Sequence, residues 1–196
     1  MITPKLHLVW LGNKPVPMIS RFYMQTWIDI NPDLEVILWT NDSIKNESFV
    51  NQELIETHPN VLIRSDVLRL ELISKYGGIY ADMDYQCLHP IQYLLKYEGF
   101  IASIQPDAIR PFTNSIFGFV QGHPTVGQMV EDVAGNIENC KHLPLYAQTG
   151  SAWFSRYMLP LKTIVRVHEP AFIKGAPGEI YNPDEYLDTF AVHHTR

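Results

Sequence analysis

The chain has 196 residues, of which 46% are apolar, 18% charged and 12% aromatic, a composition that folds around a core and excludes disorder as the main state. Fifteen basic residues stand against twenty-one acidic ones, a net charge of -6, and with no basic tract this speaks against double-stranded nucleic acid as a partner. The two cysteines, Cys87 and Cys140, stand in no CxxC spacing, so neither a disulfide framework nor a zinc site is indicated and a reducing compartment is the simplest reading.

In chain order, Leu6-His7-Leu8-Val9-Trp10-Leu11 reads as a buried strand closed by Gly12-Asn13. Pro15 and Pro17 open a helix whose stripe is Ile19, Tyr23, Trp27 and Ile30, stopped by Asn31-Pro32. Leu34 to Trp39 is a second strand, which completes a βαβ unit and implies a parallel sheet with a right-handed crossover. Residues 49–57 read as a helix with Phe49, Leu54 and Ile55 inward. Ser65 or Asp66 is expected to cap the next helix, which runs to Tyr76 with Val67, Leu70 and Ile73 as its stripe and Leu68 and Leu72 beside it. Gly77 sits where a left-handed cap residue belongs, and 78–81 is a short strand leading to Asp82-Met83-Asp84. Further strands are expected at 100–104, 115–120, 164–167 and 190–193, with helices after Pro124 and over 152–158.

No linker divides the sequence, so residues 1–196 are expected to form a single α/β domain. No segment reaches the ~20 apolar residues that span a bilayer, and the first residues lack the apolar core of a signal peptide. A cytoplasmic protein with no membrane span is the expectation.

The strongest local signal is Asp82-x-Asp84 at a strand end, where open α/β sheets bind ligands. Two carboxylates this close can converge on one cation, and their hard oxygens suit Mg²⁺ or Mn²⁺. Alone the pair is equally readable as two solvated turn residues. Asp66 and Arg69, spaced i, i+3, share one helix face; they are readable as a surface ion pair or as groups that hold phosphate and sugar hydroxyls. The chain has no phosphate-binding GxxxxGK[ST] or GxGxxG loop. For an acidic protein that binds a diphosphate, a carboxylate-held dication would supply the missing positive charge.

Ser65-Asp66-Val67-Leu68-Arg69 followed by Tyr76-Gly77-Gly78-Ile79-Tyr80-Ala81-Asp82-Met83-Asp84 resembles the signature of the DXD-containing glycosyltransferases, the family of the yeast initiating α-1,6-mannosyltransferase, capsule-type sugar transferases and the core of clostridial glucosylating toxins. Weaker likenesses follow in the family's order at 8–12, at Thr26-Trp27, Asn31-Pro32-Asp33 and Leu38-Trp39, at Asn114 and Gly122-His123-Pro124, at Thr149-Gly150 and at Val192-His193-His194. The resemblance implies a GT-A fold, a Rossmann-like α/β sandwich with a central, mostly parallel sheet flanked by helices, and a divalent metal, usually Mn²⁺ (or Mg²⁺). It implies metal binding by Asp82, Asp84 and either His193 or His194, only one of which can face the site because strand neighbours point to opposite faces. Asp66, Arg69 and Asp82 form the implied catalytic set around the donor sugar and its phosphates. Val9 and Trp10 would line the base pocket, while Tyr80 and Asn114 complete the nucleotide-sugar contacts.

The implied reaction moves a sugar from a nucleoside diphosphate sugar, a UDP-sugar being favoured, to a hydroxyl of a glycan or other acceptor, with retention of configuration. The family's tryptophan-bearing segment after the C-terminal histidine has no counterpart before Thr195-Arg196, so the closing element is expected to be absent, shorter or built from another loop. Two other classes fit the aspartate pair: a metal-dependent phosphohydrolase or nucleotidyltransferase, and a non-catalytic nucleotide-sugar-binding module.

Overall fold

The computed structural model describes residues 1–103, 111–168 and 171–194. The first βαβ unit forms as the apolar runs dictate: β1 (Lys5–Trp10), α1 (Met18–Ile30) and β2 (Glu35–Thr40), with the strands parallel. Next come α2 (Gln52–Thr57), α3 (Val61–Tyr76), β3 (Gly78–Ala81), β4 (Tyr85–Cys87) and the short α4 (Gln92–Leu95). The later elements are β5 (Gly99–Ser103), β6 (Thr113–Phe119), α5 (Pro124–Cys140), α6 (Leu145–Gln148), α7 (Ser151–Met158), β7 (Val165–His168), β8 (Phe172–Gly175) and β9 (Ala191–His194). The strand expected over 100–104 is described over Gly99–Ser103, and Ile104 lies outside the described residues.

The main sheet has the order β2-β1-β3-β6-β5-β7. Three of its five pairings are parallel, and β6 runs antiparallel to both of its neighbours. Strand alternation splits the core into two layers. Val9, Tyr80, Phe117 and Phe119 face α3, α5 and α7 through Val67, Leu70, Val130 and Phe154. Leu6, Leu8, Ile79 and Ala81 face the opposite way, toward Trp27 of α1 and toward Tyr85, Phe172 and Ala191. The last three belong to a second sheet, β4-β9-β8, in which β9 pairs antiparallel with β4 and parallel with β8. A mostly parallel sheet flanked by helices is the expected fold class; the second sheet is an addition to it.

α3 begins earlier than expected. Asn60, not Ser65 or Asp66, caps it, its side-chain oxygen accepting from the Leu62 amide at 2.9 Å. Ser65 instead donates to the Val61 carbonyl inside the helix, and Asp66 lies in the second turn, free to face inward. The expected stripe Val67, Leu70 and Ile73 is buried, as are Leu68 and Leu72. At the other end Gly77 has the expected positive φ, 64°, but its ψ of -167° is extended rather than left-handed helical.

Candidate active site

The turn from α3 into β3 sets the site's geometry. A Cβ on Gly77 would lie 2.5 Å from the Gln121 amide nitrogen, and one on Gly78, at φ 102°, would lie 2.7 Å from the Lys5 carbonyl oxygen. Only glycine allows this approach at positive φ, and it lets β3 return directly beneath the inner face of α3. β3 stops at Ala81; the Asp82 amide still donates to the Ser115 carbonyl (2.8 Å), and the Tyr85 amide donates back to the Asp82 carbonyl (3.2 Å). The aspartate pair therefore occupies a tight reversal between β3 and β4.

Above it, Asp66 and Arg69 are both buried, so the surface-pair reading is replaced by a desolvated network. Arg69 Nη2 lies 2.7 Å from Asp66 Oδ1 and Nη1 3.2 Å from Asp82 Oδ1. Arg69 Nη1 also donates to the Asn114 carbonyl at 2.5 Å, and the guanidinium sits 4.3 Å over the Tyr80 ring. Burial works against the guanidinium charge, but Tyr80, Asp82 and Asp66 outweigh it and hold the group above its ordinary range. Asp66 accepts from Thr149 Oγ1 (2.6 Å) and from Asn114 Nδ2 (3.2 Å). Burial still pushes its carboxyl up, against the pull of Arg69 and of these hydrogen bonds. Tyr80 donates to Asp82 Oδ1 at 2.6 Å, so it orients that carboxylate from below. Asp66, Arg69, Asp82 and Asn114 floor an open cavity of about 280 Å³.

Asp82, Asp84 and His193 each offer one ligand atom, and these atoms lie within 4.8 Å of one another. His193 Nε2 is 3.2 Å from Asp84 Oδ1 and 4.0 Å from Asp82 Oδ2. Its ring is stacked on Tyr85 at 4.3 Å and 5°, and the Tyr85 carbonyl accepts from Trp27 Nε1 at 2.9 Å. Asp84 Oδ1 is buried without a hydrogen-bond partner among the described residues. An orphaned carboxylate oxygen beside a second carboxylate and an imidazole fits a divalent cation, which would satisfy all three.

His194 does not share this geometry. It points to the other face of β9, stacks on Tyr23 at 4.4 Å, and its Nδ1 lies 2.8 Å from the Ala176 carbonyl oxygen. The metal assignment of His194 is therefore corrected: strand parity allows one imidazole on the aspartate side, and that one is His193. Val9 and Trp10 also fall on opposite faces of the main sheet, Val9 in the α3-side core and Trp10 packed against the other layer, its Nε1 donating to the Lys14 carbonyl at 2.7 Å. Neither lines the 280 Å³ cavity. Sequence reasoning missed Thr149 as a partner of Asp66, although Thr149-Gly150 had stood out as a block. It also missed that Asn114 acts through its carbonyl as well as its side chain.

Residues 17–101 match the family described as the glycosyltransferase sugar-binding region containing the DXD motif. Over those residues the chain is similar to the DXD-containing glycosyltransferases. It is 32% identical over 137 residues to inositol phosphoceramide mannosyltransferase 3 of Schizosaccharomyces pombe, covering 66% of this chain and 37% of that protein. The chain spans less than half the length of the curated yeast relatives it matches. Among solved structures, PaToxG glycosyltransferase aligns at a TM-score of 0.67 and 17% identity, covering 80% of this chain and 69% of that one. The UDP-bound glycosyltransferase domain of the YGT toxin aligns at a TM-score of 0.52 and 12% identity, covering 72% and 63%. Within the matched residues the DXD motif is Asp82-Met83-Asp84, and no described helix is long and apolar enough to cross a membrane.

Proposed function

We propose that the chain transfers a sugar from a nucleoside diphosphate sugar, a UDP-sugar foremost, to a hydroxyl of a glycan or other acceptor, with a divalent cation (Mn²⁺ or Mg²⁺) held by Asp82, Asp84 and His193. The observation that carries the reading is the convergence of these three side chains beside a cavity floored by Asp66, Arg69 and Asn114. When bound, such a cation supplies positive charge beside the diphosphate. Arg69 adds a fixed positive charge that faces the cavity from a water-poor site, where electrostatic stabilisation is strongest. Asp66 and Asn114 present oxygen and amide groups suited to sugar hydroxyls, held in place by Thr149 and Arg69. The family match favours sugar transfer over the phosphohydrolase and nucleotidyltransferase alternatives.

The floor's composition supports retention. Asp66 and Asp82 are the carboxylates among the described residues that line the cavity, and both are engaged by Arg69 and by a hydroxyl. Neither is poised as a nucleophile or general base. The acceptor oxygen would bond to the anomeric carbon as the bond to the diphosphate oxygen breaks, and the acceptor proton would end on that departing oxygen.

The test is a panel of nucleotide sugars with and without Mn²⁺, read by melting shift and by slow donor hydrolysis, with the product anomer assigned by NMR. The proposal expects a metal-dependent shift with at least one donor, lost in Asp84→Ala, and a retained anomer. A shift that survives both chelation and Asp84→Ala would overturn the metal assignment, and an inverted product would overturn retention.

A further inference from the structure

A second cavity, of about 290 Å³, shares no lining residue with the first; Asp132 and Asn136 line it from α5, and Trp153, Arg156 and Tyr157 from α7. Residues three and four apart stand together on a helix, so each helix turns one face to the gap. The hydrogen bonds already made here decide what remains on offer. Tyr157 donates its hydroxyl to Asp132 Oδ2 at 2.7 Å, which leaves Oδ1 as an acceptor. Both amide protons of Asn136 are committed to the Ala147 and Gln148 carbonyls, at 3.2 and 2.5 Å. Its Oδ1 receives the Cys140 thiol, a weak donor, at 3.6 Å. The α5 side therefore presents acceptors. Across from it Arg156 is exposed and makes no hydrogen bond or ion pair among the described residues, so the α7 side presents donors. Trp153 is buried and meets Tyr157 edge to face, 5.2 Å between centroids, and the two rings form a fixed apolar corner.

We infer that this cavity is a second binding site, for one neutral pyranose ring. An occupant must donate to α5 and accept from α7, and neighbouring sugar hydroxyls do both. An anion drawn to Arg156 meets the Asp132 carboxylate, and a cation drawn to Asp132 meets Arg156. A zwitterion would match both charges, but ion pairs at an exposed guanidinium are screened and contribute little. The aromatic corner suits the C–H face of a pyranose. The volume lies at the lower edge of small-molecule clefts, about 300–1,000 Å³, so it suits a single ring. Corner and carboxylate are fixed before binding, which limits the freedom lost when a sugar docks. The site stands whether or not the first cavity transfers sugar.

The probe is a panel of methyl α- and β-glycosides of glucose, galactose and mannose, with glycine and serine beside them, titrated into the whole ¹⁵N-labelled chain. The readout is the Trp153 indole N–H signal, identified as the one missing from Trp153→Phe. A saturable shift is expected with at least one glycoside. Arg156→Leu removes the α7 donors and should weaken that binding by about three- to tenfold. Asp132→Asn keeps an oxygen for Tyr157 but loses the carboxylate charge, and should weaken it in the same direction. Asn136 is left intact because it also holds the backbone next to Thr149. Asp84→Ala, which alters the other cavity, should leave the Trp153 titration unchanged. No shift with any glycoside overturns the proposal, as does equal affinity in Arg156→Leu and the wild type. Shifts with the amino acids alone would overturn it in favour of a zwitterion site, and a titration lost in Asp84→Ala would show that the sugar binds in the first cavity instead.

Discussion

Acidification should loosen this protein through one imidazole. His7 is fully buried on β1, and its two ring nitrogens have opposite duties. Nδ1 receives the Trp39 indole N–H at 3.0 Å, and Nε2 faces the Gly77 carbonyl at 2.9 Å. An indole can only donate and a carbonyl can only accept, so Nε2 carries the proton and Nδ1 must keep its lone pair. Adding a second proton would set two N–H groups against each other in a dry core. Burial accordingly pushes the imidazole down to about 4 from an ordinary 6.5. In the unfolded chain His7 takes up its proton as pH falls through 6.5, while the folded chain refuses it until about 4. Within that window the unfolded state binds more protons, so stability falls with falling pH. At about 1.36 kcal/mol per pH unit the whole displacement amounts to roughly 3 kcal/mol. Urea denaturation of the wild type and of His7→Gln at intervals from pH 7.5 to pH 4 isolates the effect. Burial also lowers His123 and His194, but they remain in both proteins and cancel in the difference. The variant should start less stable and then lose about 3 kcal/mol less than the wild type across the window. Parallel curves would refute the assignment.

The other predictions concern the floor of the site and the turn beneath it. Arg69→Met strands Asp66 as an uncompensated buried carboxylate and should cost about 3–5 kcal/mol, while Asp66→Asn in the same chain should recover part of that loss. The signature is non-additivity in a double-mutant cycle measured by denaturant unfolding, and strictly additive losses would contradict the network. Gly77→Ala forces a Cβ against the Gln121 backbone at positive φ and should lower stability by about 1–3 kcal/mol. Gly135→Ala on α5, where an added Cβ meets nothing within 4 Å, serves as the control that should not.

Much of the architecture was legible because it is local. The βαβ unit, the α3 stripe and the glycine turn into Asp82-x-Asp84 each follow from periodicity and punctuation within about twenty residues. What escaped was long-range or backbone-borne. β4 is three residues with no alternation to read, and its partner β9 lies about a hundred residues on. Gln86 takes the place of a strand there, its amide exchanging two hydrogen bonds with the Tyr181 backbone at 2.8 and 2.9 Å. Asp66 looked like a cap because an acid before an apolar run often is one; the true cap, Asn60, follows a proline and resembled the end of a loop. The pairing of Asp66 with Thr149 spans 83 residues, and no spacing rule reaches that far. Parity showed that His193 and His194 diverge, but which one meets the aspartates depends on Tyr23 and Tyr85, two aromatic rings that each claim one of them.

That doubled imidazole bears on how the last strand finds its register. Slipping β9 by one residue along β4 would exchange its faces, and an imidazole would still arrive opposite Tyr85, His194 in place of His193. The aspartate side alone therefore cannot tell the right alignment from its neighbour. The discrimination comes from the far side, where the slip would push His193 into the fully buried slot that Val192 occupies. An aliphatic side chain that touches none of the site's chemistry thus keeps the cluster in alignment, by making the alternative register too polar to bury.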